Sequence, residues 1–174
     1  MRNVLAQEDP QLVVLDGDLI SGEATGRSKS SAYIDDVVAP LVARNVPWAS
    51  TYGNHDCDVN LHPRRTFDLE TRYPNCLTQK AVANPKAGIT NYYLPVFSHV
   101  ASNESTPTLL LWFFDSRGGH FPMDGSDAGQ PISRPNWVDD SVSASYFPRW
   151  SRLLDGWRSP CGSILNLNPA EANL

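Results

Sequence analysis

Two short apolar runs, each delivered into a glycine, constrain this chain more than any other feature. Val13-Val14-Leu15 leads into Asp16-Gly17-Asp18, and Val46-Pro47-Trp48-Ala49-Ser50-Thr51-Tyr52 leads into Gly53-Asn54-His55-Asp56. The unbroken apolar run Leu12 to Leu15 predicts a strand buried on both faces, as in sheets covered by helices. The second run predicts a strand from Val46 to Tyr52, with Pro47 near its start, where a missing N–H is tolerated. Between them Ile34, Val37, Val38, Leu41 and Val42 recur at helical spacing, so Ser31 to Asn45 reads as an amphipathic helix. Pro40 is expected to kink that helix or split it into two turns. Both polar turns then stand at the C-terminal ends of strands, where open α/β sheets bind ligands.

The rest of the chain continues the alternation. Met1 to Glu8 reads as the end of a helix, stopped by Asp9-Pro10, because proline cannot continue the hydrogen-bond ladder. Pro63 to Arg72 reads as a short helix opened by proline, whose fixed φ suits a first turn. Asn91 to Phe97 and Thr108 to Phe114 are rich in aromatic and branched residues and read as strands. The second of these ends at Asp115-Ser116-Arg117-Gly118-Gly119. Gly119 to Pro135 is loop-like, and Asn136 is placed to cap a helix beginning at Trp137. Alternating strands and helices argue an α/β layered fold.

Composition narrows the function classes. A chain of 174 residues with 41% hydrophobic content can bury one core. A net charge of −5 with no basic face argues against a nucleic-acid partner. No apolar run reaches the length of a membrane span, and the N-terminus lacks a basic-then-apolar leader. Cys57, Cys76 and Cys161 are an odd number without a close pair, which fits a reducing, cytoplasmic setting. The triplet Asn103-Glu104-Ser105 matches a glycosylation acceptor, a pattern common by chance. Oligomeric state leaves no mark on the sequence.

The two turns offer a carboxylate, an amide oxygen and an imidazole, donors suited to hard or borderline metal ions. Taken singly, each has a plainer reading: Asp18 as a turn residue, and Asn54 and His55 as a loop tip. Taken together, in this order, Gly17-Asp18 and Gly53-Asn54-His55-Asp56 resemble the second and third signature blocks of the calcineurin-like metallophosphoesterases. Asn91-Tyr92-Tyr93-Leu94, Leu111-Trp112-Phe113-Phe114-Asp115-Ser116 and Trp48 before the Gly-Asn-His turn resemble its purple-acid-phosphatase-like and Dcr2-type branch. The resemblance runs over residues 1–142 and implies an incomplete α/β fold, a metallophosphoesterase-type β-sandwich flanked by helices, with 143–174 as a divergent tail.

What the resemblance implies for chemistry is metal-dependent hydrolysis of phosphate esters. Two divalent or trivalent cations of the Mn, Fe or Zn type, roughly 3.5–4 Å apart, would neutralise the phosphoryl oxygens and supply a hydroxide. On this reading Asp18 bridges both metals and Asn54 binds one through its amide oxygen. His55 donates a hydrogen bond or proton to the phosphoryl or leaving oxygen. Asp16, Asp56 and Arg117 are supporting or substrate-contacting candidates. Asp56 is expected to tie down the loop backbone, and Arg117 to be a solvated surface residue.

Departures from the pattern are equally plain. Ser21 stands where relatives carry an aspartate or a tyrosinate ligand, which argues against a tyrosinate-bound ferric ion. No Asp-x-His occurs anywhere, and no Gly-His-x-His: Gly119-His120-Phe121-Pro122 begins like that block, but Pro122 replaces its second histidine. His62 and His99 have no ligand spacing. The resemblance therefore implies a chain truncated at both ends, begun after the first block and diverted near Ser143, with a partly bound metal centre. A non-catalytic fragment or interaction module is the alternative. A second is a haloacid-dehalogenase-like phosphatase using Asp16 as nucleophile, against which Leu19-Ile20 after the second aspartate and the Gly-Asn-His-Asp turn both speak.

Overall fold

The computed structural model describes residues 1–21, 24–26, 29–57, 61–97, 107–120 and 133–146. The expectations for His99, the Asn103 triplet, Cys161 and the tail from 147 onward lie outside these residues.

Helix α1 spans Arg2–Glu8 and ends at Asp9, which takes a left-handed conformation with φ 42° ahead of Pro10. Strand β1 is Val13–Asp16, helix α2 is Ser30–Ala43 and strand β2 is Trp48–Thr51. A single 3-10 turn, His55–Cys57, follows β2 and leads toward α3, Pro63–Glu70. Strands β3, Tyr92–Val96, and β4, Leu109–Phe113, form a hairpin pair, and residues 140–146 form α4.

β1 and β2 pair in parallel, Val13 opposite Trp48 and Asp16 opposite Thr51. β3 and β4 pair antiparallel, Tyr92 opposite Phe113 and Val96 opposite Leu109. The alternating side chains of β2 sort the layers. Trp48 packs with Leu5, Val38 and Leu41 against the helices, whereas Ala49 faces Tyr92, Leu94 and Phe113 of the second sheet. Tyr93 and Trp112, on the far face of that sheet, pack on Val82, Ala87, Val142 and Tyr146. The order is helices, parallel pair, antiparallel pair, helix α4: an incomplete α/β sandwich flanked by helices.

Three expectations change. β1 is not buried on both faces, since Val14 is 49% exposed while Val13 and Leu15 pack toward α2. The second face of an apolar strand needs a covering layer, and none of the described residues covers Val14 fully. Pro40 does not break α2, which runs continuously through it with Ser30, Ile34, Val38 and Leu41 buried along one stripe. Burial of that stripe outweighs the hydrogen bond the proline ring removes. The helix expected from Trp137 begins instead at 140. Asp139 is its cap, accepting from Ser141 N at 3.1 Å and Ser141 Oγ at 2.6 Å.

Leu41 is fully buried among Leu5, Val38 and Trp48, while Val42 on the same helix is 38% exposed. Urea unfolding of Leu41→Ala is expected to show a loss of about 2–5 kcal/mol. Val42→Ala should stay within about 0.5 kcal/mol of the unaltered chain.

Candidate functional site

The parallel register brings the two polar turns to one edge of the sheet, and their backbones come into contact there. A Cβ on Gly17, whose φ is +81°, would stand 2.7 Å from Gly53 N and 3.0 Å from Gly53 Cα. One on Gly53 would stand 2.3 Å from Asp18 Oδ1. Both glycines are therefore required by close approach, and the first also by its left-handed backbone. Asp18 itself is left-handed, φ 51°, which turns its side chain over the neighbouring turn. Its Oδ1 accepts from His55 N at 3.0 Å.

Asp18 and the Gly53-Asn54-His55 segment are thus brought together. Asp18 and Asn54 are exposed and His55 is half-buried, so all three side chains border solvent. Asp16, at the end of β1, is also exposed. It lines a cleft with Val14, Thr51, the β4 residues Leu111, Trp112 and Phe113, and Phe114 just after them.

Asp56 clamps the two turns from beneath. It is fully buried, with Oδ1 accepting from Ile20 N at 3.1 Å and Oδ2 from Gly53 N at 2.9 Å, one bond to each loop. Burial pushes its carboxyl up to about 6, against the backbone N–H groups of Gly53 and Ile20, which favour the charged form. Ile20 is wedged between α2 and α3 with Ile34 and Leu69, which fixes the far side of the Asp18 loop.

Arg117 is not a surface residue, and its charge is not offered to a substrate. It is 5% exposed, and its guanidinium donates to Trp137 O, Lys86 O and Asp139 Oδ2 at 2.7 to 3.0 Å. The neighbouring Asp115 is buried and accepts from Ile89 N, Thr90 N and Arg117 N. These bonds shape the turn after β4 so that Gly118, at φ +83°, lies against Asn54: a Cβ there would be 2.8 Å from Asn54 Cβ. Arg117 thus anchors the backbone of the turn that lies against Asn54. Asp115 and Gly118 escaped the sequence reading, although a buried-strand pattern running into Asp-Ser-Arg-Gly-Gly carried the signal.

His62 caps α3, its Nδ1 accepting from Arg64 N at 3.1 Å. His120 forms an isolated bridge with Ser133. Among the described residues no three His, Cys, Asp or Glu side chains gather into a metal-holding group. Asp18 and Asn54 together offer too few oxygens for two cations that each take about five or six ligands. The described residues do not fit a complete dinuclear centre.

Two outcomes follow from this geometry. Gly17→Ala is expected to cost about 1–3 kcal/mol in urea unfolding, because it forces a Cβ onto Gly53. For Asp56, the folded value lies above the unfolded one of about 3.9, so the folded state holds the proton more tightly. Its contribution is full below about pH 4 and falls by up to about 3 kcal/mol as pH rises through 6. Unfolding of the unaltered chain and of Asp56→Asn between pH 4 and 7 should show the difference shrinking in that direction.

Comparison with known proteins places this arrangement. A family model described as calcineurin-like phosphoesterase matches residues 1–159. Phosphatase DCR2 of Saccharomyces cerevisiae is 31% identical over 144 residues, 81% of this chain and 23% of that protein. An Arabidopsis thaliana protein named Probable inactive purple acid phosphatase 29 is 32% identical over 122 residues, 67% of this chain and 30% of that one. The Schizosaccharomyces pombe protein named Uncharacterized protein C1020.05 is 41% identical over 94 residues, 54% of this chain and 18% of the relative. The chain therefore spans under a third of the length of these relatives. No solved structure matches it. The paired glycine turns, with Asp18 set over Asn54 and His55, belong to a chain of the calcineurin-like phosphoesterase family.

Proposed function

We propose that these residues supply one part of a phosphate-ester-hydrolysing site, with Asp18 and Asn54 as metal donors and His55 as hydrogen-bond or proton donor to the phosphoryl or leaving oxygen. The observation that carries this is the contact of Asp18 Oδ1 with His55 N at 3.0 Å, which ties that carboxylate to the backbone of the turn carrying Asn54 and His55, at the C-terminal edge of a parallel sheet. The family supports a phosphorylated substrate. A divalent cation of the Mn or Zn type suits the donor chemistry, with oxygen from Asp18 and Asn54. Cysteine usage favours the cytoplasm, and among the described residues no helix is long and apolar enough to cross a membrane.

A second reading is a non-catalytic module that keeps the turns without turnover. It is favoured by the shortage of ligands among the described residues and by the Arabidopsis thaliana relative whose name carries the word inactive.

Manganese titration of the isotope-labelled chain separates the readings. The expected outcome is weak binding, with paramagnetic broadening strongest at Asp18, Asn54 and His55 and lost in Asp18→Asn and Asn54→Ala. Broadening that avoids these turns, or none at all, would sink the metal-donor assignment. Hydrolysis of a chromogenic phosphate ester by this chain is expected to be absent, whereas turnover with micromolar manganese affinity would show a complete donor set.

A further inference from the structure

Glu70, at the last turn of α3, is fully buried, and among the described residues no cation pairs with it. Its Oε1 accepts from Trp48 Nε1 at 2.8 Å, Thr78 Oγ1 at 3.0 Å and Ser50 Oγ, and its Oε2 accepts from Tyr52 OH at 2.9 Å. Three of these donors alternate along β2 and its continuation, so one carboxyl reads every side chain on that face of the strand. A buried carboxyl is tolerated only when it is saturated with donors, and removing it would strand several at once. The surroundings carry its imprint: burial, then the charge of Glu70, pushes the Cys76 thiol up to about 12, and the Tyr52 hydroxyl is raised for the same two causes.

The outer edge of β2 is fixed by related groups. Ser50 N donates to Thr78 Oγ1 at 2.9 Å, Tyr52 N to Thr90 Oγ1 at 3.1 Å, and Tyr92 OH to Ser50 O at 2.8 Å. Thr78 bonds both the strand backbone and Glu70, closing a ring. Tyr52 is the last residue before Gly53, so its anchored ring and amide set where the Gly53-Asn54-His55 turn begins.

We propose that Glu70 is a positioning residue for the site, holding the face of β2 at Trp48, Ser50 and Tyr52 so that Asn54 and His55 meet Asp18. This deepens the assignment above and rests on it for the metal, though the positioning itself is read from the turn. Glu70 and its donors are all buried, so its effect on the site runs through the strand.

The test uses the full chain with Glu70→Gln, Glu70→Ala and Tyr52→Phe, and Val142→Ala as a control that weakens the core on the far side. In the Glu70 variants, hydrogen exchange at Gly53, Asn54 and His55 should rise about tenfold or more over that in Val142→Ala, and manganese affinity should fall about tenfold or more. Tyr52→Phe, which deletes one oxygen and leaves no cavity, should move the same three amides by less, and it carries the test if both Glu70 variants fail to fold. Amides at 53–55 that move no more than in the control would overturn the proposal. Manganese that fails to bind even the unaltered chain would sink the metal assignment alone, leaving the exchange measurement to judge Glu70.

Discussion

The structure depends on the backbone-to-backbone contact of Gly17 with Gly53. In parallel register, Asp16 opposite Thr51 sends both strands out of the sheet at the same edge. Whether the emerging turns then touch is decided by two missing Cβ atoms, since either one would enter occupied space. Contact at this point lets a side chain from one loop, Asp18, bond the backbone of the other, and lets Asp56 bridge both from below. Two of those bonds, Ile20 N to Asp56 and His55 N to Asp18, run between the loops, so each turn is held in part by its neighbour.

Around that contact the molecule concentrates buried polar groups where a site is built. Asp56, Glu70, Asp115 and Arg117 are all buried, and each bonds backbone or side-chain groups that lead to a turn. Buried polar groups are costly unless saturated, and a saturated one fixes direction more sharply than an apolar contact does. The apolar clusters hold the layers together, while these four residues set the angles at which the loops leave them.

Much of this was legible in the sequence because strand and helix periodicity is local. The positions of α1, α2, β2, β3 and β4, the amphipathic stripe through Ile34, Val38 and Leu41, and the two glycine turns all follow from neighbours in the chain. The misreadings were non-local. Val14 is exposed because covering a second face takes a layer that an apolar run cannot itself announce. Arg117 read as a surface cation because its partners, Lys86, Trp137 and Asp139, lie far from it in sequence. Pro40 stayed inside a helix because the packing of the whole stripe outweighed a rule about one residue. Glu70 carries no signal in the sequence, because a glutamate near a helix end is ordinary until the strand beneath it is known.

One edge of β2 shows how the sheet limits itself. Beyond a short backbone bridge from Trp48 to Asn75 and Leu77, the amides and carbonyl there are taken by Thr78, Thr90 and Tyr92 hydroxyls, with no neighbouring strand among the described residues. An exposed row of free backbone groups is a template for pairing with a second molecule, the usual start of fibre growth. Hydroxyl plugs occupy that row among the described residues, so these amides and this carbonyl are not offered to a further strand.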